Sequence, residues 1–426
     1  MERKIEKTLK KWKKDNIGKP LVIYGSKQIG KTFTVLKFGK ENYKNTIYIN
    51  TENNKALKEL FIKERSTDKI IEGLQEISGE MIFTEDSLIV LDNLLDVEIA
   101  KGIKLFGSEH SPYNIITITS RRDKLNEFKG EELQFKAMNE MDFEEYLWAI
   151  DEKNLADQIR ESFTNKKTCR FHEVALDHFK EYLITGGYPE VIKSKITGKT
   201  YYELDAIKQK IIDIIMKEIS LNENLIDIPR GYEVFNSIPE QLIKDNKKFQ
   251  YGIIGNGKRA KEYELSINYI VNNQILYKSY KIMKAESPLS SCKENESFKL
   301  YLPDDGLLHT MLHVNKDKVE KNERLRETVY ENHVAKTLAE NGYVLYYYQS
   351  DGKAEVNFVV QNRTGKIIPI EITIRTNSKA KSLSVFMKKH VVLEGYRITE
   401  NNFQTKKDIR YIPIYAVFCL AENTSK

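Results

Sequence analysis

The chain has 426 residues, of which 31% are charged and 40% are hydrophobic. This length predicts two or three domains with substantial cores, and the composition is ordinary for a globular protein. The formal net charge of +6 is compatible with a nucleic-acid partner but does not imply one. No apolar run is long enough to span a bilayer, so no membrane partner is expected.

The cysteines indicate a reducing environment. Cys169, Cys292 and Cys419 lie far apart in the sequence and lack the spacing of a metal site. Free thiols are therefore expected. The first residues lack the apolar core of a signal peptide. Together these features predict a cytoplasmic protein.

A Lys-rich helix over residues 2–16 is predicted to precede the first motif. The apolar run 21–24 indicates a buried strand, and residues 33–38 indicate the start of a helix. Between them lies the pattern G-x-x-x-x-G-K-[ST], in the strand–loop–helix context of a phosphate-binding loop. In such loops backbone N–H groups meet phosphate oxygens, the lysine reaches the β- and γ-phosphates, and the hydroxyl binds Mg²⁺. The predicted nucleotide-binding residues are Gly25, Ser26, Lys27, Gln28, Ile29, Gly30, Lys31 and Thr32.

After a second predicted strand at 46–50, a further buried strand, 87–91, ends in an acid, Asp92. In phosphate-loop enzymes such an acid lies beside the Mg²⁺ site and orients metal-bound water, so Asp92 is a predicted metal-site and catalytic residue. The next residue, Asn93, stands where many such ATPases carry a catalytic glutamate, and an amide cannot accept a proton from water. The hypothesis is tight nucleotide binding with slow hydrolysis, unless Asp96, Glu98 or another acid substitutes.

The strand predicted over 114–119 is followed by Ser120, Arg121 and Arg122. The carboxyl ends of parallel strands border the ligand crevice, so Thr119 or Ser120 is a candidate sensor of the γ-phosphate. Arg121 or Arg122 could act on that phosphate in the same subunit or in a neighbouring one. A basic pair on the surface is an equally good interpretation.

The middle third is predicted to be mostly helical. From about residue 231, helices followed by strand-like runs at 276–280 and 298–302 suggest a small winged-helix unit with a polar loop at 284–296. Basic residues cluster here beside Phe249 and Tyr251. DNA-backbone contact and a solvated or protein-facing surface both remain open interpretations. The cluster contains Lys244, Lys247, Lys248, Lys258, Arg259 and Lys261.

The charge-rich stretch 315–325 predicts a domain boundary. Beyond it the pattern is α–β–β–β–α–β, with Asp351-Gly352 as a hairpin signal between the first two strands. The predicted elements are a helix over 327–340, strands over 344–349, 355–360 and 367–374, a helix over 383–390 and a late strand over 412–418.

With these motifs, the sequence resembles the large prokaryotic family of AAA-type ATPases that carry a C-terminal domain of unknown function with a nuclease-like fold. The resemblance spans nearly the whole chain, and the order and spacing of the motifs make the set specific. It implies ATP and Mg²⁺ as ligands. The matching pieces are Ser26–Thr32, Asp92, Gly186-Gly187-Tyr188-Pro189-Glu190, Ser237–Leu242, Phe298–Leu308, Glu331-Asn332, Glu355-Val356-Asn357-Phe358 and Pro369-Ile370-Glu371-Ile372.

The C-terminal pattern resembles the PD-(D/E)XK nuclease core. Such cores place an acid on the first helix, an Asp on the second strand and Glu-x-Lys on the third. Two carboxylates hold Mg²⁺, and the lysine helps to position the attacking water. The resemblance carries these roles to Glu331, Asn357, Glu371 and Thr373. Asn357 lacks the metal-binding charge and Thr373 lacks the cation, so a degenerate site without nuclease activity is expected.

The ATPase half departs from the family as well. Relatives usually have Asp-Glu where this chain has Asp92-Asn93, and they often have Gly-Arg where it has Gly130-Glu131. The second change removes a candidate arginine sensor and argues against activation by a neighbouring subunit.

The sequence therefore predicts an α/β protein in three parts. They are a P-loop NTPase domain with a parallel sheet over 1–150, a helical and winged-helix region over 151–312, and a restriction-endonuclease-like domain over 324–426. The expected function is an ATP-binding switch that hydrolyses slowly, with DNA as a candidate partner. The alternative is a non-catalytic module that ATP stabilises and that binds another protein or itself. An ATP-regulated nuclease is the least favoured function.

Overall fold

The computed structural model describes residues 1–15, 18–108, 111–125, 130–222, 224, 226–350, 355–374 and 382–420. The chain divides into two compact units. Unit 1 comprises Met1–Glu140 and Asn272–Gln274, and unit 2 comprises Met141–Val271 and Ile275–Lys426. The predicted hairpin signal at Asp351-Gly352 lies outside the described residues. Within the described ranges, no helix combines the length and the apolar character needed to cross a membrane.

Unit 1 is built on five strands, β1 (Leu21–Tyr24), β2 (Asn45–Asn50), β3 (Ser87–Asp92), β4 (Asn114–Thr119) and β5 (Gln134–Ala137). They form one parallel sheet in the order β2-β3-β4-β1-β5. This confirms the predicted α/β fold with a parallel sheet. Because β4 lies between β1 and β3, the ends of these three strands are neighbours. The predicted phosphate loop follows β1, Asp92 is the last residue of β3, and Ser120 follows β4.

The helices of unit 1 bury their apolar side chains against this sheet. A large apolar cluster contains Ile47, Phe61, Leu74, Leu91 and Phe106. The strands read as nearly continuous apolar runs because a parallel sheet is covered on both faces. The helices are α1 (Ile5–Asp15), α2 (Lys31–Asn42), α3 (Lys55–Lys63), α4 (Thr67–Ser78) and α5 (Val97–Ser108).

Unit 2 is helical in its first half. Local signals begin several helices, such as the capping box in which Thr200 and Glu203 exchange hydrogen bonds. The helices are α6 (Phe143–Ala149), α7 (Lys153–Asn165), α8 (His172–Thr185), α9 (Pro189–Ile196), α10 (Tyr201–Ile219), α11 (Asp227–Ile243), α12 (Tyr251–Ile254), α13 (Ala260–Asn272), α14 (Asp305–Met311), α15 (Lys316–Lys321), α16 (Glu323–Glu340) and α17 (Ser382–His390).

The strands of unit 2 are β6 (Tyr277–Ile282), β7 (Lys293–Tyr301), β8 (Leu345–Gln349), β9 (Glu355–Gln361), β10 (Ile367–Ile372), β11 (Gly395–Thr399), β12 (Gln404–Lys406) and β13 (Ile409–Pro413). They form one sheet in the order β12-β13-β11-β10-β9-β8-β6-β7. The hairpin expected in the winged-helix region forms as β6 and β7. Strand β6 also pairs in parallel with β8, so the hairpin extends the sheet of the C-terminal pattern.

At the C-terminus one local prediction was wrong and one strand was missed. The predicted late strand over 412–418 ends at Pro413, and a 3₁₀ helix spans Ile414–Cys419. This segment is a continuous buried apolar run, and periodicity alone cannot tell a buried strand from a buried helical turn. The strand that follows α17 is β11, which the sequence analysis missed. It pairs in parallel with both β10 and β13.

Candidate functional site

Two glycines shape the loop between β1 and α2. A Cβ on Gly25 would lie 1.9 Å from the carbonyl oxygen of Met138, so a side chain does not fit there. Gly30 precedes α2 with a φ of 87°, in the left-handed region that favours glycine. The loop therefore curls into the first turn of α2, where backbone N–H groups are suited to an anion.

Lys31 lies at the start of α2, inside this loop. Its Nζ donates to the carbonyl oxygen of Gly25 at 2.8 Å and to that of Ser26 at 2.6 Å. These neutral acceptors position the ammonium group without cancelling its charge. Such an arrangement suits a lysine that binds phosphate oxygens.

Asp92 ends β3 and lies next to Thr32 in the lining of a cavity. Its Oδ2 accepts a hydrogen bond from Thr32 Oγ1 at 2.7 Å and one from the Tyr48 hydroxyl at 3.1 Å. Its Oδ1 accepts from the backbone N–H of Asn93 at 2.8 Å. The two residues predicted to bind Mg²⁺ are therefore in direct contact, in a pair of oxygen ligands that this ion prefers.

Tyr48 is a site residue that the sequence analysis missed. It lies on β2, and its hydroxyl reaches a carboxylate that follows 44 positions later in the sequence. Burial, together with the negative charge of Asp92, raises the pKa of Tyr48 to about 12. No motif marks this tyrosine, and only the pairing of β2 with β3 brings it to the site.

Asn93 follows β3 with a φ of 60°, a conformation that asparagine tolerates better than most residues. Its Nδ2 donates to Asn50 Oδ1 at 3.2 Å. The acids named as substitutes are engaged elsewhere. Asp96 pairs with Lys58 at 2.7 Å, and Glu98 pairs with Lys101 at 2.7 Å. Neither lines the cavity.

These groups surround a cavity of about 360 Å³. Of the described residues that line it, Asp92 alone carries a carboxylate, while Lys27 and Lys31 are cationic. The cavity therefore offers metal ligands and phosphate-binding cations but no second acid to act as a base. The lining residues are Lys27, Gln28, Gly30, Lys31, Thr32, Phe33, Asp92, Asn93, Ile118, Thr119 and Ser120.

Of the candidate γ-phosphate sensors, the hydroxyl residues line the cavity and the arginines do not. Thr119 and Ser120, at the end of β4, line the cavity. Arg121 is directed to Asp123, with Nε–Oδ1 at 2.8 Å and Nη2–Oδ2 at 2.7 Å. Arg122 lies over the ring of Tyr24, with its guanidinium carbon 5.4 Å from the ring centre. Neither arginine is among the lining residues.

A second polar cavity, of about 320 Å³, lies in unit 2. It brings together the four positions that the nuclease resemblance names, although helix α16 and strands β9 and β10 supply them from separate parts of the chain. Its lining residues are Lys244, Asp245, Lys247, Arg324, Glu327, Glu331, Glu355, Asn357, Glu371, Ile372 and Thr373.

Glu331 is buried in this cavity and accepts four hydrogen bonds. Its Oε1 accepts from Lys299 Nζ at 3.2 Å and from the Tyr301 hydroxyl at 2.7 Å. Its Oε2 accepts from Lys247 Nζ at 2.8 Å and from Asn357 Nδ2 at 3.1 Å. Burial alone would raise the pKa of Glu331, but the two ammonium groups hold that pKa well below its usual range. The negative charge of Glu331 is therefore compensated by two lysines of the protein.

Glu371 is paired with an arginine, but burial outweighs this pairing and raises the pKa of Glu371. Its Oε2 accepts from Arg397 Nε at 2.9 Å and from Arg397 Nη2 at 2.7 Å. The amide of Asn357 links the two acidic positions, because its Oδ1 accepts from the backbone N–H of Ile372 at 2.9 Å while its Nδ2 reaches Glu331. In the part of the chain that the structure describes, no three His, Cys, Asp or Glu residues form a metal-binding group.

The basic cluster of unit 2 is half neutralised. Lys244 pairs with Glu240 at 3.2 Å, Lys258 pairs with Glu233 at 3.3 Å, and Lys247 pairs with Glu331. Arg259 and Lys261 are exposed. The surface is therefore less positive than the sequence alone suggests.

Several motif pieces of the resemblance meet in one buried polar network. Asp304 Oδ2 accepts from the Gly187 N–H at 2.6 Å. Asp305 Oδ1 accepts from Asn332 Nδ2 at 3.0 Å, and its Oδ2 lies 2.8 Å from His333 Nδ1. These side chains satisfy each other away from water. The motif pieces at 186–190, 298–308 and 331–332 therefore contribute to one hydrogen-bonded network.

Comparisons with known proteins agree with the geometry of unit 1. Residues 18–147 match the family model of an AAA domain. Residues 176–318 and 326–417 match two domains of unknown function, DUF8612 and DUF4143. No curated protein matches the chain. The match supports the predicted AAA-type P-loop domain over residues 18–147.

Solved structures show remote likeness. A Walker-type ATPase of Pyrococcus abyssi is 12% identical, with 74% of this chain and 96% of that chain covered and a TM-score of 0.43. A signal transduction ATPase with numerous domains and a tetratricopeptide repeat sensor, from Pyrococcus horikoshii, is 15% identical, with coverages of 80% and 45% and a TM-score of 0.29. The Holliday junction branch migration motor of Thermotoga maritima is 12% identical, with coverages of 64% and 86% and a TM-score of 0.30. Likeness this remote identifies no function.

Proposed function

We propose that the chain binds ATP with Mg²⁺ at the phosphate loop and hydrolyses it slowly. The observation that carries this proposal is the lining of the 360 Å³ cavity, where Lys31, Thr32 and Asp92 meet without a second acid. Thr32 Oγ1 and Asp92 would hold Mg²⁺, which supplies positive charge to the phosphates when bound. Lys31 and the backbone N–H groups of the loop would bind the phosphate oxygens.

Slow hydrolysis follows from the groups around the attacking water. A general base must lie within hydrogen-bond reach of the proton that it removes. Asn93 occupies the position of the base, and its amide carries no charge and accepts no proton. Asp96 and Glu98 are paired with lysines outside the cavity. Bound ATP would therefore persist long enough to act as a switch.

Thr119 and Ser120 are proposed to contact the γ-phosphate, because they line the cavity at the end of β4. Such a contact exists with ATP and is lost with ADP, so it would distinguish the two nucleotides. Arg121 could reach the phosphate only after leaving Asp123. We therefore place sensing on the hydroxyl groups, and any role of Arg121 requires a rearrangement.

Binding and turnover measured together test this proposal. Native protein should bind MgATP in a titration, while phosphate release stays well below about one per second, the low end of ordinary enzymes. Lys31→Ala should abolish binding. Lys37→Ala is the matched control, because Lys37 lies on the same helix and pairs with Glu6 at 3.2 Å. Rapid Mg²⁺-dependent release that is lost in Lys31→Ala would contradict slow hydrolysis.

We propose further that the C-terminal part of unit 2 has a nuclease-like fold without nuclease activity. The element order α16, β8, β9, β10, α17, β11 supports it, as does the meeting of Glu331, Asn357 and Glu371 in one cavity. The cations on both glutamates argue against metal-dependent cleavage. Supercoiled DNA should remain intact in Mg²⁺ or Mn²⁺. Nicking that disappears in Glu371→Ala would contradict the proposal.

DNA is proposed as a partner whose affinity depends on the bound nucleotide. Lys248, Arg259 and Lys261 of the basic cluster are the residues proposed to contact phosphates. Three such contacts predict that log K falls with log salt with a slope of about −3. Arg259→Ala should reduce the magnitude of this slope by about one. DNA binding at low salt that does not change between ATP and ADP would exclude the switch.

The pairing of Lys244, Lys247 and Lys258 with carboxylates favours a second candidate, a protein-interaction module that bound ATP stabilises. This candidate predicts a large rise in melting temperature with ATP, because a ligand that binds only the folded state stabilises it. It also predicts no DNA binding that depends on salt. The titrations with DNA therefore separate the two candidates.

A further inference from the structure

A third cavity, which is lined by residues of unit 2, lies outside both polar sites. It measures about 810 Å³ and opens between α10, α14 and α15. This volume is within the range of about 300–1,000 Å³ that is common for small-molecule sites. Apolar side chains form part of its wall, among them Ile184, Ala206 and Val314.

A buried lysine lies at the base of this cavity. Lys208 is only 1% exposed, and its Nζ donates to the carbonyl oxygen of Ile184 at 3.0 Å and pairs with Asp205 Oδ1 at 2.7 Å. An ammonium group has three hydrogens, so one remains for a ligand. Thr310 Oγ1 also donates to Asp205 Oδ1, at 2.8 Å. Asp205 Oδ2 accepts no hydrogen bond from the described residues, which leaves an acceptor beside the ammonium donor.

His309 supplies a second acceptor to the same cavity. It is 2% exposed, and its Nδ1 lies 3.1 Å from the carbonyl oxygen of Asp305, which can only accept. The proton is therefore on Nδ1. Burial lowers the pKa of His309 to about 4, so the ring is neutral at pH 7. Nε2 then carries a lone pair, and the described residues offer it no donor.

An aromatic ring stands at the rim. Tyr202 lines the cavity and is 85% exposed, so its face is open to a planar ligand. The charges around the cavity nearly balance. Asp205 and Asp317 oppose Lys208 and Lys318, while Lys316 is paired with Glu181 at 2.6 Å. Near-neutrality suits an uncharged ring better than a polyanion.

We infer that this cavity binds a nucleoside whose base has adjacent N–H and C=O groups, as guanine does. Base N–H groups donate to Asp205 Oδ2 or His309 Nε2, the base carbonyl accepts from Lys208, and the ring stacks on Tyr202. The Watson–Crick edge of adenine lacks the carbonyl and presents a ring nitrogen in place of guanine's ring N–H, so adenine is discriminated against. The site is separate from the phosphate loop and does not depend on ATP binding there.

Calorimetric titration of the Lys31→Ala chain with guanosine and with adenosine tests the inference without interference from the phosphate loop. We expect saturable guanosine binding below about 1 mM and at least tenfold weaker adenosine binding. Native protein saturated with ATP should give the same guanosine affinity, which guards against a folding defect in the variant. Absence of saturable guanosine binding in both proteins, or equal affinity for both nucleosides, would overturn the inference.

Matched variants locate the binding. Tyr202→Ala should weaken guanosine binding by roughly 5- to 100-fold, and Tyr202→Phe should keep it, because stacking needs the ring and not the hydroxyl. Ala206→Trp should block the cavity, and its exposed position keeps the fold intact. Guanosine binding that survives both Tyr202→Ala and Ala206→Trp would place the nucleoside elsewhere and overturn the assignment.

Discussion

The phosphate-loop cavity of unit 1 and the Glu331 cavity of unit 2 have similar volumes. They differ in whether their carboxylates are paired with cations of the protein. In unit 1, the described partners of Asp92 are neutral donors, namely two hydroxyls and one backbone N–H. In unit 2, two lysines hold Glu331 and one arginine holds Glu371. A buried charge is costly unless it is paired. For Asp92 the proposed cationic partner is Mg²⁺, whereas Glu331 and Glu371 are paired with cations of the protein itself.

The comparison predicts where each unit is sensitive. Charge changes at Glu331, Glu371 and their partners in unit 2 should appear as changes in folding stability, because these buried charges are already paired. Charge changes in unit 1 should appear as changes in ligand binding or turnover. The predictions below run from the largest expected effect to the smallest.

Lys299→Met should give the largest effect. Lys299 is buried and pairs with Glu331 at 3.2 Å and with Glu355 at 2.7 Å. Its loss leaves buried carboxylate charge poorly compensated, and the free energy of unfolding of unit 2 should fall by about 3 kcal/mol. Urea unfolding of the full chain, followed at the transition of unit 2, measures the change.

The controls for Lys299→Met separate burial from charge. Lys284→Met, which breaks an exposed pair with Glu286 in unit 2, should leave the unfolding of that unit nearly unchanged. Adding Glu331→Gln to Lys299→Met should restore much of the stability, because the uncompensated charge is removed. If the double variant is less stable than Lys299→Met alone, uncompensated charge on Glu331 is not the cause of the lost stability.

His309 should make unit 2 sensitive to pH. Its pKa is lowered from 6.5 to about 4 by burial. Below pH 6.5 the unfolded chain binds a proton that the folded chain refuses, so stability falls as the pH drops from 6.5 to 4. The loss should reach about 3 kcal/mol and be absent above pH 6.5. Unfolding measured across this range should become flatter in His309→Gln and remain unchanged in His313→Gln, whose histidine is exposed.

Asn93→Glu should raise ATP turnover by roughly 10- to 100-fold. This is less than the full effect of a general base, because the positive φ of residue 93 favours asparagine over glutamate. The substitution introduces the missing carboxylate into the unit 1 cavity. Asn93→Gln is the matched control, since it adds the length without the charge and should leave the rate unchanged. Equal rates in all three proteins under saturating MgATP would show that the missing base does not limit hydrolysis.

Tyr48→Phe should give the smallest effect, a change of about two- to fivefold in apparent Mg²⁺ affinity. The Tyr48 hydroxyl competes for the Asp92 oxygen that would bind the ion. Its removal should tighten Mg²⁺ binding in ATP titrations and leave ATP affinity without Mg²⁺ unchanged. Weaker Mg²⁺ binding would instead mean that the hydroxyl positions the carboxylate.

Short-range patterns made parts of this protein predictable. The loop from Gly25 to Thr32 was recognisable because a phosphate loop is made by consecutive residues. Asp92 and Ser120 followed from strands that end in polar residues. The pairing of Lys299 and Arg397 with acids was not predictable, since the partners lie 32 and 26 positions away and no motif marks the lysine or arginine. The strand prediction at 412–418 was wrong because a buried apolar run has no period to decide its conformation.

The sequence by itself predicted a nucleotide-binding loop, the metal ligand expected beside it, and an amide at the position where many such ATPases carry the base. Each of these depends on residue type at a short, recognisable spacing. Only the tertiary structure decided which charges are already paired, that Tyr48 and Asn50 contact Asp92 and Asn93 at the carboxyl end of β3, and that the hairpin β6–β7 joins the sheet of unit 2. These features depend on strand order and side-chain direction, which bring distant residues within hydrogen-bond reach.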